Sequence, residues 1–67
     1  MDPTQCYLEM FAAMQQRDYE TARERAMTLE QWLDRGGFSP LNYCPTEVRS
    51  YLANVLRRTA RLQGENP

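Results

Sequence analysis

Two thiols, Cys6 and Cys44, are the most reactive side chains in this 67-residue chain. Cys44 precedes Pro45 at an expected helix start, and Cys6 lies early in the first helix. The positive end of a helix dipole lowers a thiol pKa, so either position invites nucleophilic or redox chemistry. Activation needs more than a dipole. There is no Cys-x-x-Cys spacing, no His and no Lys. Both cysteines therefore read as small buried hydrophobes. Two thiols alone do not make a zinc site, and no further ligand is placed near them. The absence of His removes the commonest general base and the commonest metal ligand. The carboxylates are scattered over polar faces, and Asp18 and Asp34 are explained as a helix cap and a helix-end residue. The expectation is a non-enzyme with no cofactor and no metal.

Arginine supplies the second candidate chemistry. All eight basic residues are Arg, and Arg49, Arg57, Arg58 and Arg61 gather in the last third of the chain. Such a set can contact phosphates. It is equally the set that complements the negative end of a helix dipole. The net charge of −1 gives no global attraction to nucleic acid or to anionic membrane. The halves differ, however. Residues 1–34 are acidic and residues 35–67 are basic. The connector between Gly36 and Cys44 is too long for the turn of a helix-turn-helix. A small nucleic-acid-binding regulator using Arg49, Arg57, Arg58 and Arg61 is the alternative function.

The third candidate chemistry is apolar. Trp32 lies beside its helix stripe and not squarely on it. It would pack against Phe38 or Leu41, or serve as an interface anchor. Phe38, Leu41 and Tyr43 crowd a connector that a purely solvated loop would not need. That connector is expected to fold back over an open end of the core.

These residues must be positioned by helices. Asp2 is a good N-cap, Pro3 suits the first helical position, and Gln5 stands where a capping-box partner belongs. Tyr7, Met10, Phe11 and Met14 share one face at i, i+3, i+4 and i+7, with Leu8 and Ala12 widening it; such a stripe is core or, less often, an adaptable binding groove. Asp18 caps the second helix, whose stripe is Tyr19, Ala22, Ala26, Leu29 and Leu33. The small Ala22 and Ala26 allow a close neighbour. Gly36 and Gly37 stop this helix. A Schellman cap with Gly37 left-handed would set Phe38 against Leu33, and one of the two glycines must take positive φ. The third helix starts near Pro45, with Cys44 or Thr46 at its cap, and carries Val48, Leu52, Val55, Thr59 and Leu62, flanked by Tyr51 and Leu56. Gly64 ends it, and Glu65, Asn66 and Pro67 should fray. The helices are expected over residues 3–16, 18–35 and 45–63.

Arg17-Asp18-Tyr19-Glu20-Thr21-Ala22 resembles the turn and second-helix start of a tetratricopeptide repeat, which commonly reads Gly-Asp-Tyr-x-x-Ala. Asp18, Tyr19 and Ala22 match, and Arg17 stands where Gly is usual. Cys6 and Met10 occupy positions typical of Trp and of Gly or Ala, and Leu29 one typical of Ala. The resemblance covers residues about 6–33, half the chain at best, with no second copy. It implies a helical hairpin and protein binding.

These patterns combine into one all-α domain over residues 1–67, a helical hairpin plus a third packed helix. No apolar run approaches the ~20 residues that span a bilayer, and no signal segment is evident. The chain is expected to be cytoplasmic, with both thiols reduced. The expected function is a small non-catalytic protein–protein interaction module. A chain this short buries a small core, and Leu8, Met27, Trp32, Leu41, Tyr43, Tyr51 and Leu56 flank the stripes. A homodimer is therefore expected, through the Trp32–Tyr43 segment or the Tyr51/Leu56 side of the third helix. Trp32, Phe38, Leu41, Tyr43, Tyr51 and Leu56 are the candidate partner-binding residues.

Overall fold

The computed structural model describes residues 2–64. Among these, three α-helices and no strand are present: α1 Pro3–Gln15, α2 Tyr19–Asp34 and α3 Pro45–Gly64, with a single tight turn at Pro40–Asn42. The fraying expected of Glu65, Asn66 and Pro67 lies outside the described residues. None of the described helices is long and apolar enough to cross a membrane.

Local chemistry sets the helix ends. The Asp2 carboxylate accepts from the N–H groups of Thr4 at 3.0 Å and Gln5 at 3.3 Å, with Pro3 in the first turn. The expected capping box does not form, because the Gln5 amide donates to Glu9 at 3.4 Å instead of turning back to the cap. Helix α1 closes with a Schellman motif. Asp18 N–H donates to Ala13 C=O at 2.8 Å and Arg17 N–H to Met14 C=O at 3.1 Å. This requires Arg17 to be left-handed, at φ 60°. Asp18 then caps α2 by accepting from Thr21 N–H at 3.3 Å.

Helix α2 ends the same way, one residue earlier than the spacing suggests. Gly37 N–H donates to Trp32 C=O at 2.9 Å and Gly36 N–H to Leu33 C=O at 3.0 Å. The left-handed residue is therefore Gly36, at φ 87°, and not Gly37. Phe38 consequently meets Trp32 and not Leu33, with ring centroids 5.7 Å apart and edge-on at 85°. Cys44 C=O accepts from Val48 N–H at 3.0 Å, which makes Cys44 the cap residue of α3.

Helix α2 is central and packs on both neighbours. Its Ala22 and Ala26 are fully buried, so two helix backbones approach it closely. Met10, Leu29, Val48, Leu52 and Val55 fill the space between. Leu8, expected to widen the buried face of α1, is half-exposed, and Ala12 is exposed too. The buried side of α1 is instead Pro3, Cys6, Tyr7, Met10 and Ala13, because α2 and the Pro40–Asn42 turn cover only part of its circumference. Leu62, expected on the α3 stripe, is also exposed. Polar contacts fix the register. Arg25 bridges to Glu9 of α1 at 3.1 Å and to Glu24 at 3.0 Å. Arg49 of α3 meets Asp34 at 2.8 Å, and Arg23 donates to Leu56 C=O at 3.0 Å. As α2 is followed from Asp34 back to Arg23, its partners advance along α3, so the two run antiparallel.

Candidate functional site

Where α1 and α3 face each other, the contact is made by aromatic rings. Tyr7 is the hub. Its ring centroid lies 4.7 Å from Phe11, 6.3 Å from Tyr43 and 6.1 Å from Tyr51, all edge-on. Phe11 and Tyr51 lie 5.2 Å apart. Such arrangements bring the positive ring edge to the negative ring face. Tyr7 is buried while Tyr43 remains half-exposed. Burial pushes the Tyr7 phenol above its ordinary range, and the neighbouring Tyr51 and Tyr43 phenols push it further.

The connector completes this face. Its turn is closed by Tyr43 N–H donating to Pro40 C=O at 3.0 Å, with both central residues left-handed, Leu41 at φ 54° and Asn42 at φ 58°. The Leu41 conformation is held from outside, because its N–H donates to the Thr4 hydroxyl of α1 at 3.0 Å. The connector does fold back over the α1 end of the core, as its composition suggests. The residue it buries is Pro40, however, while Phe38, Leu41 and Tyr43 stay 66%, 38% and 50% exposed. A tight turn leaves room under it for only one side chain.

Helical spacing places more of the sequence on this face. Thr4, Leu8, Phe11 and Gln15 follow one another at i, i+4, i+7 and i+11 along α1. Leu8, 50% exposed, is one turn beyond the threonine that holds Leu41. On α3, Glu47, Tyr51, Asn54 and Arg58 repeat the same spacing. Glu47, Ser50, Tyr51, Asn54 and Arg57 line a shallow open depression along that edge.

The candidate residues named from sequence divide into three places. Leu41, Tyr43 and Tyr51 come together in this aromatic seam. Trp32 and Phe38 form a separate pair, in which Trp32 Nε1–H donates to Phe38 C=O at 2.9 Å. Leu56 sits on the α2 edge of α3, where its carbonyl meets Arg23, and Tyr51 sits on the α1 edge. The two share no side, contrary to the expectation of a common Tyr51/Leu56 surface, because five residues of helix turn through about 140°. Spacing alone sets Leu8 on the flank and leaves Tyr7 and Phe11 open to a core or a binding-groove role, without showing that these two rings meet Tyr51. Their signal is the crowded connector, which needs an apolar surface to lie on.

The arginines also separate. Arg49 is tied to Asp34 at 2.8 Å on the α2 side. Arg57 and Arg58 are exposed near the other end of α3, with Arg61 one turn on. The four do not present one continuous phosphate-binding face. The cysteines differ from each other as well. Cys6 is buried, as expected, and its thiol donates weakly to Arg25 C=O at 3.6 Å. Burial raises its pKa, with Arg25 opposing and Glu9 reinforcing the shift. Cys44, expected to be buried, is exposed at the α3 cap, where the extended connector leaves nothing above it. The chain matches no protein-family model, no curated protein and no solved structure.

Proposed function

We propose that the chain is a small non-catalytic interaction module that docks another protein on the face between α1 and α3. The observation that carries this reading is the aromatic seam, whose flanks leave Leu8, Leu41 and Tyr43 at 50%, 38% and 50% exposed on one side of the molecule. An exposed apolar cluster rimmed by polar residues marks an interaction site. The left-handed turn at Leu41 and Asn42 supports the same reading. Backbone held in a sparsely populated region costs stability and tends to occur where function requires it. The tetratricopeptide-like hairpin fits as well, since Arg17 adopts the positive φ that Gly would supply in that turn. Nucleic-acid binding by the arginines is the weaker reading, because Arg49 is engaged away from the rest. The proposed compartment is the cytoplasm, where Cys6 and Cys44 remain thiols.

The test is site-specific photo-crosslinking in host cells. A photoreactive residue at position 8 or 43 is expected to give a discrete, saturable adduct. The same residue at position 20, on the outer side of α2, is expected to give none. Equal labelling from all three positions removes this face as the docking site. Adducts to a second copy of the chain identify the homodimer expected from the sequence.

A further inference from the structure

The seam carries a charge pattern that selects its occupant. The α1 stripe brings no charge to it, since Thr4, Leu8, Phe11 and Gln15 are all neutral. The α3 edge brings one carboxylate, Glu47, at the end where the connector lies. At the other end Arg57 and Arg58 stand exposed, and Arg57 shares with Tyr51 the open depression along α3. Helix α3 also points its C-terminal end that way, and that end attracts cations and not anions, so the arginines need no bound anion to explain their position on the helix. What they do provide is a cationic margin beside the aromatic seam. Among the described residues, a second copy docked by the same face contributes one Glu47 to match each arginine pair. A segment richer in carboxylates matches it better, because charge complementarity at the rim sets partner choice and encounter rate.

We infer that the α1–α3 seam receives an acidic amphipathic helix from a different protein. Its apolar side chains lie over Leu8, Leu41, Tyr43 and Tyr51, and its carboxylates reach Arg57 and Arg58. The inference rests on the docking face proposed above. The exposed flanks of the seam, Leu8 on α1 and Leu41 and Tyr43 on the connector, offer an amphipathic helix an apolar strip to lie on, read through anchors at i, i+3, i+4 and i+7.

Selection from a random-peptide phage library on the full chain tests this while the partner is still unidentified. The expected winners have apolar residues at helical spacing and a surplus of Asp and Glu. A synthetic winner should bind at least tenfold more weakly to Leu8→Glu, and about tenfold more weakly to the double variant Arg57→Gln/Arg58→Gln. Both substitutions fall on exposed positions, and circular dichroism should show the fold unchanged. Winners without an acidic surplus, or indifferent to the arginine variant yet sensitive to Leu8→Glu, overturn the acidic partner and leave the docking face standing. Winners indifferent to Leu8→Glu, or no enrichment at all, overturn both. A dimer in sedimentation equilibrium that Leu8→Glu abolishes assigns the seam to a second copy and overturns the inference. So does a mixed-sequence RNA that binds with a steep salt dependence and is lost in the arginine variant.

Discussion

The two adjacent glycines after α2 should resist replacement for different reasons, and alanine substitutions separate them. Gly36 is left-handed at φ 87°, and a Cβ placed there meets nothing within 4 Å. Its cost in Gly36→Ala is therefore purely conformational. Left-handed backbone costs a residue with a Cβ about 1–2 kcal/mol. The smaller unfolded-state entropy of alanine returns about 0.4–1 kcal/mol. The net is about 1 kcal/mol. With an unfolding entropy of ~2.1 cal/mol/K per residue over 67 residues, each kcal/mol lowers Tm by about 7 °C. Gly37 is not left-handed, but its Cβ would fall within the Trp32 indole. The ring must move, and it carries the 2.9 Å hydrogen bond to Phe38 C=O and the edge contact with the Phe38 ring. The first is worth about 1 kcal/mol and the second about 0.5–1.5 kcal/mol. Gly37→Ala should therefore cost about 2 kcal/mol, twice the effect of its neighbour. Thermal and urea melts followed at 222 nm measure both. Trp32 is the single tryptophan, so its fluorescence should shift in Gly37→Ala and stay unchanged in Gly36→Ala. In a Trp32→Ala background, with sulfate added to support the fold, the Gly37→Ala penalty should fall below about 0.5 kcal/mol while that of Gly36→Ala persists. A Gly37→Ala penalty that survives removal of the indole refutes the steric account.

Three further outcomes are expected. Arg17→Gly should stabilise the chain by about 0.5–1 kcal/mol, because the left-handed strain at φ 60° is relieved and only part of the gain is lost to glycine entropy; an unchanged or lower Tm refutes this. In native buffer a thiol reagent should modify Cys44 rapidly and Cys6 slowly, with Cys6 becoming equivalent only on unfolding; two equal native rates contradict the burial. Stability should decline as the pH rises from about 9 to 11. The folded state raises the pKa of Cys6 above its ordinary 9.0 and of Tyr7 above its ordinary 10.0, so it holds those protons more tightly than the unfolded chain. The stabilisation is complete below that range and is lost across it. In Tyr7→Phe the decline should be shallower, as urea titrations at stepped pH will reveal.

Local sequence is enough to define the helices. Caps, stops and stripes are local, so Asp2, Asp18 and the glycine pair can be assigned from neighbours in the chain, and the observed limits of α1, α2 and α3 fall within two residues of those expected. Residue size alone likewise shows that Ala22 and Ala26 admit close neighbours. Whatever depends on the angle between helices emerges only when they pack. A stripe shows which side of α1 is apolar, but not how much of that side α2 and the connector will cover, so Leu8 widens the stripe and yet lies at the surface. Tyr51 and Leu56 look adjacent on the sequence flank of one stripe, yet they fall on opposite edges once α1 and α2 occupy different sides of α3. Tyr7, Phe11, Tyr43 and Tyr51 come from two helices and a connector. Their meeting is not legible in the chain because no local rule links positions 7 and 51; only the packing of both α1 and α3 on α2 brings their rings within 6.1 Å.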